Sequence, residues 1–337
     1  MAVPYTKDWT SLSKINPELE ALLPTLGGFK FIGPDTTLES LRALEANRPP
    51  SEPWPEVLEH DIQIPVRDGT SNRARVYSPA NPTSEGKALL VLAFGGGFVM
   101  GKLEGEERNC RTWVKNFGGV AVSISYRLCP EHVWPGSVED VFDAVKWIAA
   151  HANDLGADPS KGFVVGGTSS GATATITVSH LWRDEGLTPP LTGLHLAVPA
   201  PCIISALPQK YREKEKSWEQ NKDAPTFNRD TSNFLAQHAK PKPDDPMRSP
   251  LLFTTGHENL PPAYFAIGGA DPWRDSGLIY EEVLREECGV KTKVDIFPGL
   301  PHGFWAAFPA AGFSKEFRGK SDEGLAWLFH QCDYRQN

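Results

Sequence analysis

The stretch KGFVVGGTSSGATATITVSHLW, residues 161–182, constrains the fold more than any other part of the chain. A short apolar run ends in two glycines, meets a serine, and passes at once into small and β-branched residues. KGFVVGG (161–167) reads as a strand, and TSSGATATITVSHLW opens as a helix. Between them lies Gly167-Thr168-Ser169-Ser170-Gly171, a G-x-S-x-G pentapeptide that carries meaning only where a strand precedes it and a helix follows. Glycines at both ends remove the Cβ atoms that would collide as the chain folds back. Ser169 is then held in a strained conformation with its Oγ exposed at the helix N-terminus. A glycine- and serine-rich turn without chemistry would explain the pentapeptide alone; the flanking elements select the nucleophile elbow. Centring the elbow on Ser170 gives the frame T-S-S-G-A, which lacks the preceding glycine.

The rest of the chain supplies a sheet for that elbow. DIQIPV and ARVYSP read as strands joined by the turn RDGTSN. ALLVLAF (88–94) and VAVSISY (120–126) are continuous apolar runs, as expected of strands buried on both faces of a parallel sheet. In VEDVFDAVKWIAAHA, residues Val138, Val141, Phe142, Val145 and Ile148 share one helical stripe. PAYFAIGG (262–269) and TKVDIFPG read as late strands, SGLIYEEVLREECG and KSDEGLAWLFHQC as late helices. Alternation of this kind predicts an α/β fold with a mostly parallel central sheet flanked by helices. Two segments stand outside it. The first 55 residues are helix-like and end in Pro49, Pro50, Pro53 and Pro55. Residues 205–248 are polar, charged and proline-rich, with a helix expected at TSNFLAQHA. The predicted division is therefore 1–55, a core of 56–204 and 249–337, and an inserted segment at 205–248.

Three further sites complete a candidate chemistry. ALLVLAF runs into Phe94-Gly95-Gly96-Gly97-Phe98-Val99-Met100-Gly101, where consecutive glycines free backbone N–H groups to point inward. Acyl transfer to serine passes through a tetrahedral oxyanion that needs preorganised donors. The N–H groups of Gly96, Gly97 and Ser170 are the candidates. A phosphate cradle is excluded because no Gly-Lys-Ser/Thr follows. After the nucleophile, an acid and then a base are expected just past late strands. ADPWRDSG places Asp271 there, with Asp275 as second candidate, and PGLPHGF places His302. The predicted order is Ser169, Asp271, His302.

Composition narrows the function classes. The formal net charge is −8, with no basic stripe of the kind that neutralises nucleic-acid phosphates. The longest charged stretch, REKEK at 212–216, mixes both signs and reads as a solvated face. The 5 cysteines are odd in number and widely spaced, with no CxxC pair, so neither a zinc nor a redox site is expected. No cofactor and no metal is implied. The N-terminus has no apolar core of signal-peptide length. No apolar run reaches the roughly 20 residues that span a bilayer. A cytoplasmic protein is expected, with monomer or homodimer left open.

Taken together these blocks resemble the hormone-sensitive-lipase group of α/β-hydrolases, a family of carboxylesterases and lipases. FGGGFVMG resembles the family's HGGG-type oxyanion loop, and SYRLCPEHVWPGSVEDVFDAVKWI its Y-R-L-x-P-E-x-x-x-P block. GGTSSGA aligns with its G-D-S-A-G-G elbow, and ADPWRDSG with PGLPHGF aligns with its acid and base blocks. The resemblance spans roughly residues 60–330. It implies the α/β-hydrolase fold, and a helical cap built from about 1–55 and 205–248. It also implies an acyl-enzyme reaction on a small-molecule ester, apolar or aromatic, with fungal members that trim acyl esters from polyketide-type metabolites as the nearest analogy. Phe98, Trp218, Phe304 and Trp305 are the expected substrate contacts. The family's His at the head of the loop is Phe94 here, and Thr168 and Ser170 stand where it prefers Asp and Ala. Two other outcomes share the fold: acyl transfer or lactone closure by the same triad, and a non-catalytic binder. Plant gibberellin receptors, which share the fold, lose the catalytic His, whereas this chain keeps His302.

Overall fold

The computed structural model describes residues 8–26, 32–33, 35–47, 51–81 and 87–333; Pro49 and Pro50, with the first seven residues, lie outside them. Among the described residues a single eight-stranded sheet runs in the order β1-β2-β4-β3-β5-β6-β7-β8. Its members are β1 (Val57–Pro65), β2 (Ser71–Pro79), β3 (Leu89–Ala93), β4 (Val120–Ile124), β5 (Phe163–Thr168), β6 (Gly193–Ala197), β7 (Ala263–Gly268) and β8 (Thr292–Phe297). β1 and β2 form an antiparallel hairpin, β2 pairs antiparallel with β4, and every other pairing is parallel. The continuous apolar runs are the interior strands, buried at every position in β3, β4 and β7. The hairpin keeps one face toward water and alternates accordingly.

The helices are α1 (Pro17–Leu22), α2 (Leu38–Ala46), α3 (Glu107–Phe117), α4 (Gly136–Ala150), α5 (Ser170–Asp184), α6 (Ser217–Gln220), α7 (Arg229–Ala239), α8 (Arg274–Glu282), α9 (Phe304–Ala307) and α10 (Gly312–Asp333). Those packed on the sheet divide between its two faces, because successive side chains of a strand point in opposite directions. Leu89, Val91 and Ala93 of β3 join a core with α4, α5 and α8. Leu90 and Leu92 join a second core with α3 and α10. The result is a three-layer α/β/α arrangement with the C-terminal ends of the parallel strands on one edge.

Several elements differ from the sequence expectation. β6, α3 and the short α6 and α9 are additional. α10 starts at Gly312 rather than near Lys320, because its first turn is capped from a distance. The Glu18 carboxylate accepts hydrogen bonds from the backbone N–H groups of Gly312 (2.6 Å) and Phe313 (3.1 Å). An acidic group at this end satisfies orphan donors and complements the helix dipole.

The N-terminal segment and the connection between β6 and β7 are joined to the sheet by one buried ion pair. Arg274 and Asp275 are both fully buried, Nε to Oδ1 2.6 Å. Arg274 also donates to Ser13 Oγ (2.6 Å), the Gly269 carbonyl (2.9 Å) and Gln220 Oε1 (3.2 Å). Asp275 Oδ2 accepts from the backbone N–H groups of Lys216 and Ser217, each at 2.8 Å. Asp275, the second candidate for the orienting acid, is therefore a structural clasp. Replacing Asp275 by Ala leaves a buried, uncompensated guanidinium, and urea unfolding should show a loss of about 3–5 kcal/mol.

Candidate active site

Ser169 sits at the end of β5 with φ 54° and ψ −116°, a conformation that L-residues rarely adopt. Strain of this kind costs about 1–3 kcal/mol and persists only where surroundings enforce it. Here the neighbouring strands do so. The Ser169 N–H donates to the Ala197 carbonyl of β6 at 2.8 Å, and its carbonyl accepts from Thr173 N–H at 2.9 Å. The elbow also presses against the end of β3. A Cβ on Gly167 would lie 2.0 Å from the Ala93 carbonyl oxygen, and one on Gly171 would lie 2.1 Å from that same atom. Both glycines are thus required by close approach.

The three expected polar groups meet at this turn. Ser169 Oγ is 2.8 Å from His302 Nε2, and His302 Nδ1 is 2.6 Å from Asp271 Oδ2. Asp271 and His302 are both buried. The other oxygen of Asp271, Oδ1, accepts from the Trp273 N–H at 2.8 Å, which fixes the carboxylate in place. With a carboxylate on Nδ1, the proton belongs there, and Nε2 is left free to accept from the serine. Phe227 stacks on the imidazole, ring centroids 4.4 Å apart.

The glycine loop lies beside the serine. Gly96 and Gly97 have φ values of 136° and 62°, open to glycine and costly for other residues. Their N–H groups have no acceptor among the described residues. Ser170 opens α5, so its N–H has no acceptor within the helix. Where the family carries a histidine, Phe94 is buried and stacks on Tyr126 at 4.2 Å. Tyr126 Oη donates to the Phe94 carbonyl at 2.8 Å and lies 3.4 Å from Ser170 Oγ. Burial raises the Tyr126 phenol well above its ordinary value, so it stays a neutral donor. An aromatic stack with one buried hydroxyl holds the loop.

A cavity of about 430 Å³ opens over Ser169. Gly97, Phe98, Ser170, Trp218 and Trp273 line it, together with Ser232, Asn233 and Leu235 of α7. Phe98 and Trp218 therefore stand where expected. Phe304 and Trp305 do not, and that expectation is corrected. Gly303, at φ 66°, turns the chain away from the cavity immediately after His302. Phe304 is fully buried among Phe297, Phe313 and Phe317, and Trp305 stacks on Phe317 at 3.8 Å. Trp305 faces a separate charged cleft of about 680 Å³, shared with Thr168, Glu104 and Arg108. Sequence reasoning did not single out Phe227, Trp273 or the α7 residues as lining. The helical pattern in TSNFLAQHA was visible, but not the direction in which it faces.

Behind the elbow lies Glu106, almost wholly buried. Burial pushes its carboxyl up to about 7, against opposing hydrogen bonds to the Thr168 side chain and to Asn109. Thr168 directly precedes Ser169, so an acid is held against the back of the elbow.

A family model described as the alpha/beta hydrolase fold matches residues 90–306. The chain belongs to the α/β-hydrolase family, in its hormone-sensitive-lipase-like carboxylesterase branch. Versiconal hemiacetal acetate esterase of Dothistroma septosporum is 34% identical and aligns over 86% of each chain. The crystal structure of vibralactone cyclase superposes with a TM-score of 0.88 at 34% identity, covering 98% of this chain and 99% of that one. A bacterial heroin esterase matches with a TM-score of 0.79 at 27% identity, over 94% and 98% of the two chains.

The raised Glu106 has a consequence for this hydrolase. The folded state holds the proton more tightly than the unfolded chain, so this contribution is complete below the ordinary glutamate value and is lost as pH rises through about 7. Glu106→Gln should make the decline in melting temperature between about pH 5 and 8 shallower than in the wild type.

Proposed function

We propose that this chain hydrolyses a carboxylic ester of a small molecule through an acyl-enzyme, with Ser169 as nucleophile, His302 as general base and acid, and Asp271 as the group that orients His302. The continuous hydrogen-bonded line Oγ–Nε2, Nδ1–Oδ2 at 2.8 and 2.6 Å carries this reading. Ser169 Oγ attacks the ester carbonyl carbon as its proton passes to His302 Nε2. The carbonyl oxygen becomes an oxyanion, and the N–H groups of Gly96, Gly97 and Ser170 are its donors. Collapse expels the alcohol, which takes the proton from Nε2. Water then repeats the sequence on the acyl-serine and releases the acid. Asp271 accepts the Nδ1–H throughout and stabilises the imidazolium without taking its proton.

The lining of Phe98, Phe227, Trp218, Trp273 and Leu235 suits an apolar or aromatic ester. Residues 1–55 and 205–248 are read as the cap over this cavity. Buried free thiols at Cys110, Cys129 and Cys202 support a reducing, cytoplasmic setting. Among the described residues no helix is long and apolar enough to cross a membrane.

A second reading is lactone closure, favoured by the likeness to vibralactone cyclase over nearly the whole chain. It needs the same acyl-serine, attacked by a hydroxyl of the substrate in place of water. Product analysis with a hydroxy-ester separates the two, giving a hydroxy-acid in one case and a lactone in the other.

A fluorophosphonate probe should label Ser169 in the wild type and leave Ser169→Ala unlabelled, as read by peptide mass mapping. Asp271→Asn should lower kcat on p-nitrophenyl butyrate by about 10⁴-fold, because the imidazole is then held in the wrong tautomer. Labelling at another serine, or retention of most activity by either variant, would remove the assignment.

A further inference from the structure

The cavity over Ser169 contains one group that its apolar lining does not call for. Arg248 is the only charged side chain among the residues that line it. Its single hydrogen bond among the described residues runs from Nη1 to the Ala200 carbonyl, at 2.8 Å. Its guanidinium lies over the Trp273 ring, 5.5 Å from the centroid. Among the described residues no carboxylate pairs with it. The other arginines drawn into the molecule are treated differently. Arg274 has Asp275, Arg127 has Asp140 and Asp68, and Arg111 has Glu59 and Glu107.

Arg248 is partly buried; drawing a guanidinium even partly out of water without a counter-charge is costly, and the fork has donors to spare once Ala200 is satisfied. Burial lowers Arg248 to about 10, so it remains charged at neutral pH. Thr173, Ser205, Ser232 and Asn233 add polar groups to the same cavity, and none of the lining residues brings a negative charge. A planar, cationic donor fork open to the cavity matches a carboxylate in geometry and sign.

Building on the ester-hydrolase reading, we propose that Arg248 is a specificity-determining residue that receives a carboxylate carried by the substrate away from the scissile bond. The preferred substrate class is then an acidic ester, such as a half-ester of a dicarboxylic acid or an ester of a hydroxy-acid. Trp273 backs the guanidinium, and the aromatic walls take the carbon chain between the two ends.

The test compares kcat/KM within two matched pairs. Mono-p-nitrophenyl adipate against p-nitrophenyl hexanoate places the carboxylate on the acyl side. The butyrate ester of 5-hydroxypentanoate against pentyl butyrate places it on the alcohol side. The wild type should favour the acidic member of one pair by about 10-fold or more, as a charge-assisted hydrogen bond allows. Arg248→Met should reduce that preference by about 10- to 100-fold. Arg248→Lys, which keeps the charge and loses the fork, should fall between them. No preference in either pair by the wild type, or an unchanged ratio in Arg248→Met, overturns the assignment. The wild-type ratio decides by itself should the Met variant not fold. Turnover with no acidic preference removes the role of Arg248 alone. No turnover of any ester, with no fluorophosphonate label on Ser169, removes the ester-hydrolase reading and this proposal together.

Discussion

The site depends on how closely the turn after β5 approaches the end of β3. Gly171 faces the carbonyl oxygens of both Ala93 and Phe94, with room for a hydrogen and no more. That contact sets the separation between the elbow and the glycine loop, and hence between the serine oxygen and the loop N–H groups. β5 lies between β3 and β6 in the sheet, so both neighbours hold the turn: β3 by steric contact, β6 by the hydrogen bond from Ser169 N–H. Geometry of this precision comes from rigid strands rather than from adaptable loops. The strained backbone at Ser169 is affordable because the sheet was already ordered by burial.

The substitution at the head of the loop shows that one geometric task has more than one chemical solution. A histidine could hold the loop by a polar bond. Phe94 holds it by stacking on Tyr126, which returns one hydroxyl to the Phe94 carbonyl. The backbone donors do not depend on which solution is used. Thr168 and buried Glu106 likewise fill the space behind the elbow with their own hydrogen bond.

Much of this was legible in the residues. The positions of Ser169, Asp271 and His302 could be read because each falls just past a strand, two of them buried throughout or nearly so and the third, TKVDIF, an alternating edge strand. β6 escaped notice because GLHLA is interrupted by His195, whose ring is buried against Ser321 at 3.1 Å. α3 escaped notice because ERNCRTWVKNF is rich in charge, yet Arg111 is buried and paired with Glu59, a partner far away in sequence. Phe304 and Trp305 were misplaced because adjacency to His302 in sequence says nothing of direction. One glycine with positive φ sends them to the opposite core. The solitary charge of Arg248 was invisible for a related reason: only the fold shows which carboxylates fail to reach it.

The N-terminal segment is bonded to the loop that carries the histidine. Gly299 N–H donates to the Leu12 carbonyl at 2.7 Å, and the Asn16 N–H donates back to the Gly299 carbonyl at 3.2 Å. Gly299 lies on the short connection from β8 to His302, while Glu18 caps the helix that packs beneath it. A peripheral segment therefore helps to hold the loop that carries the base, whereas the serine rides on the sheet interior. Regions with few buried contacts open first, at free energies well below global unfolding. If this segment opens first on warming, the base drifts out of register while the sheet is still intact, and loss of activity precedes melting, through a region that holds none of the reacting groups.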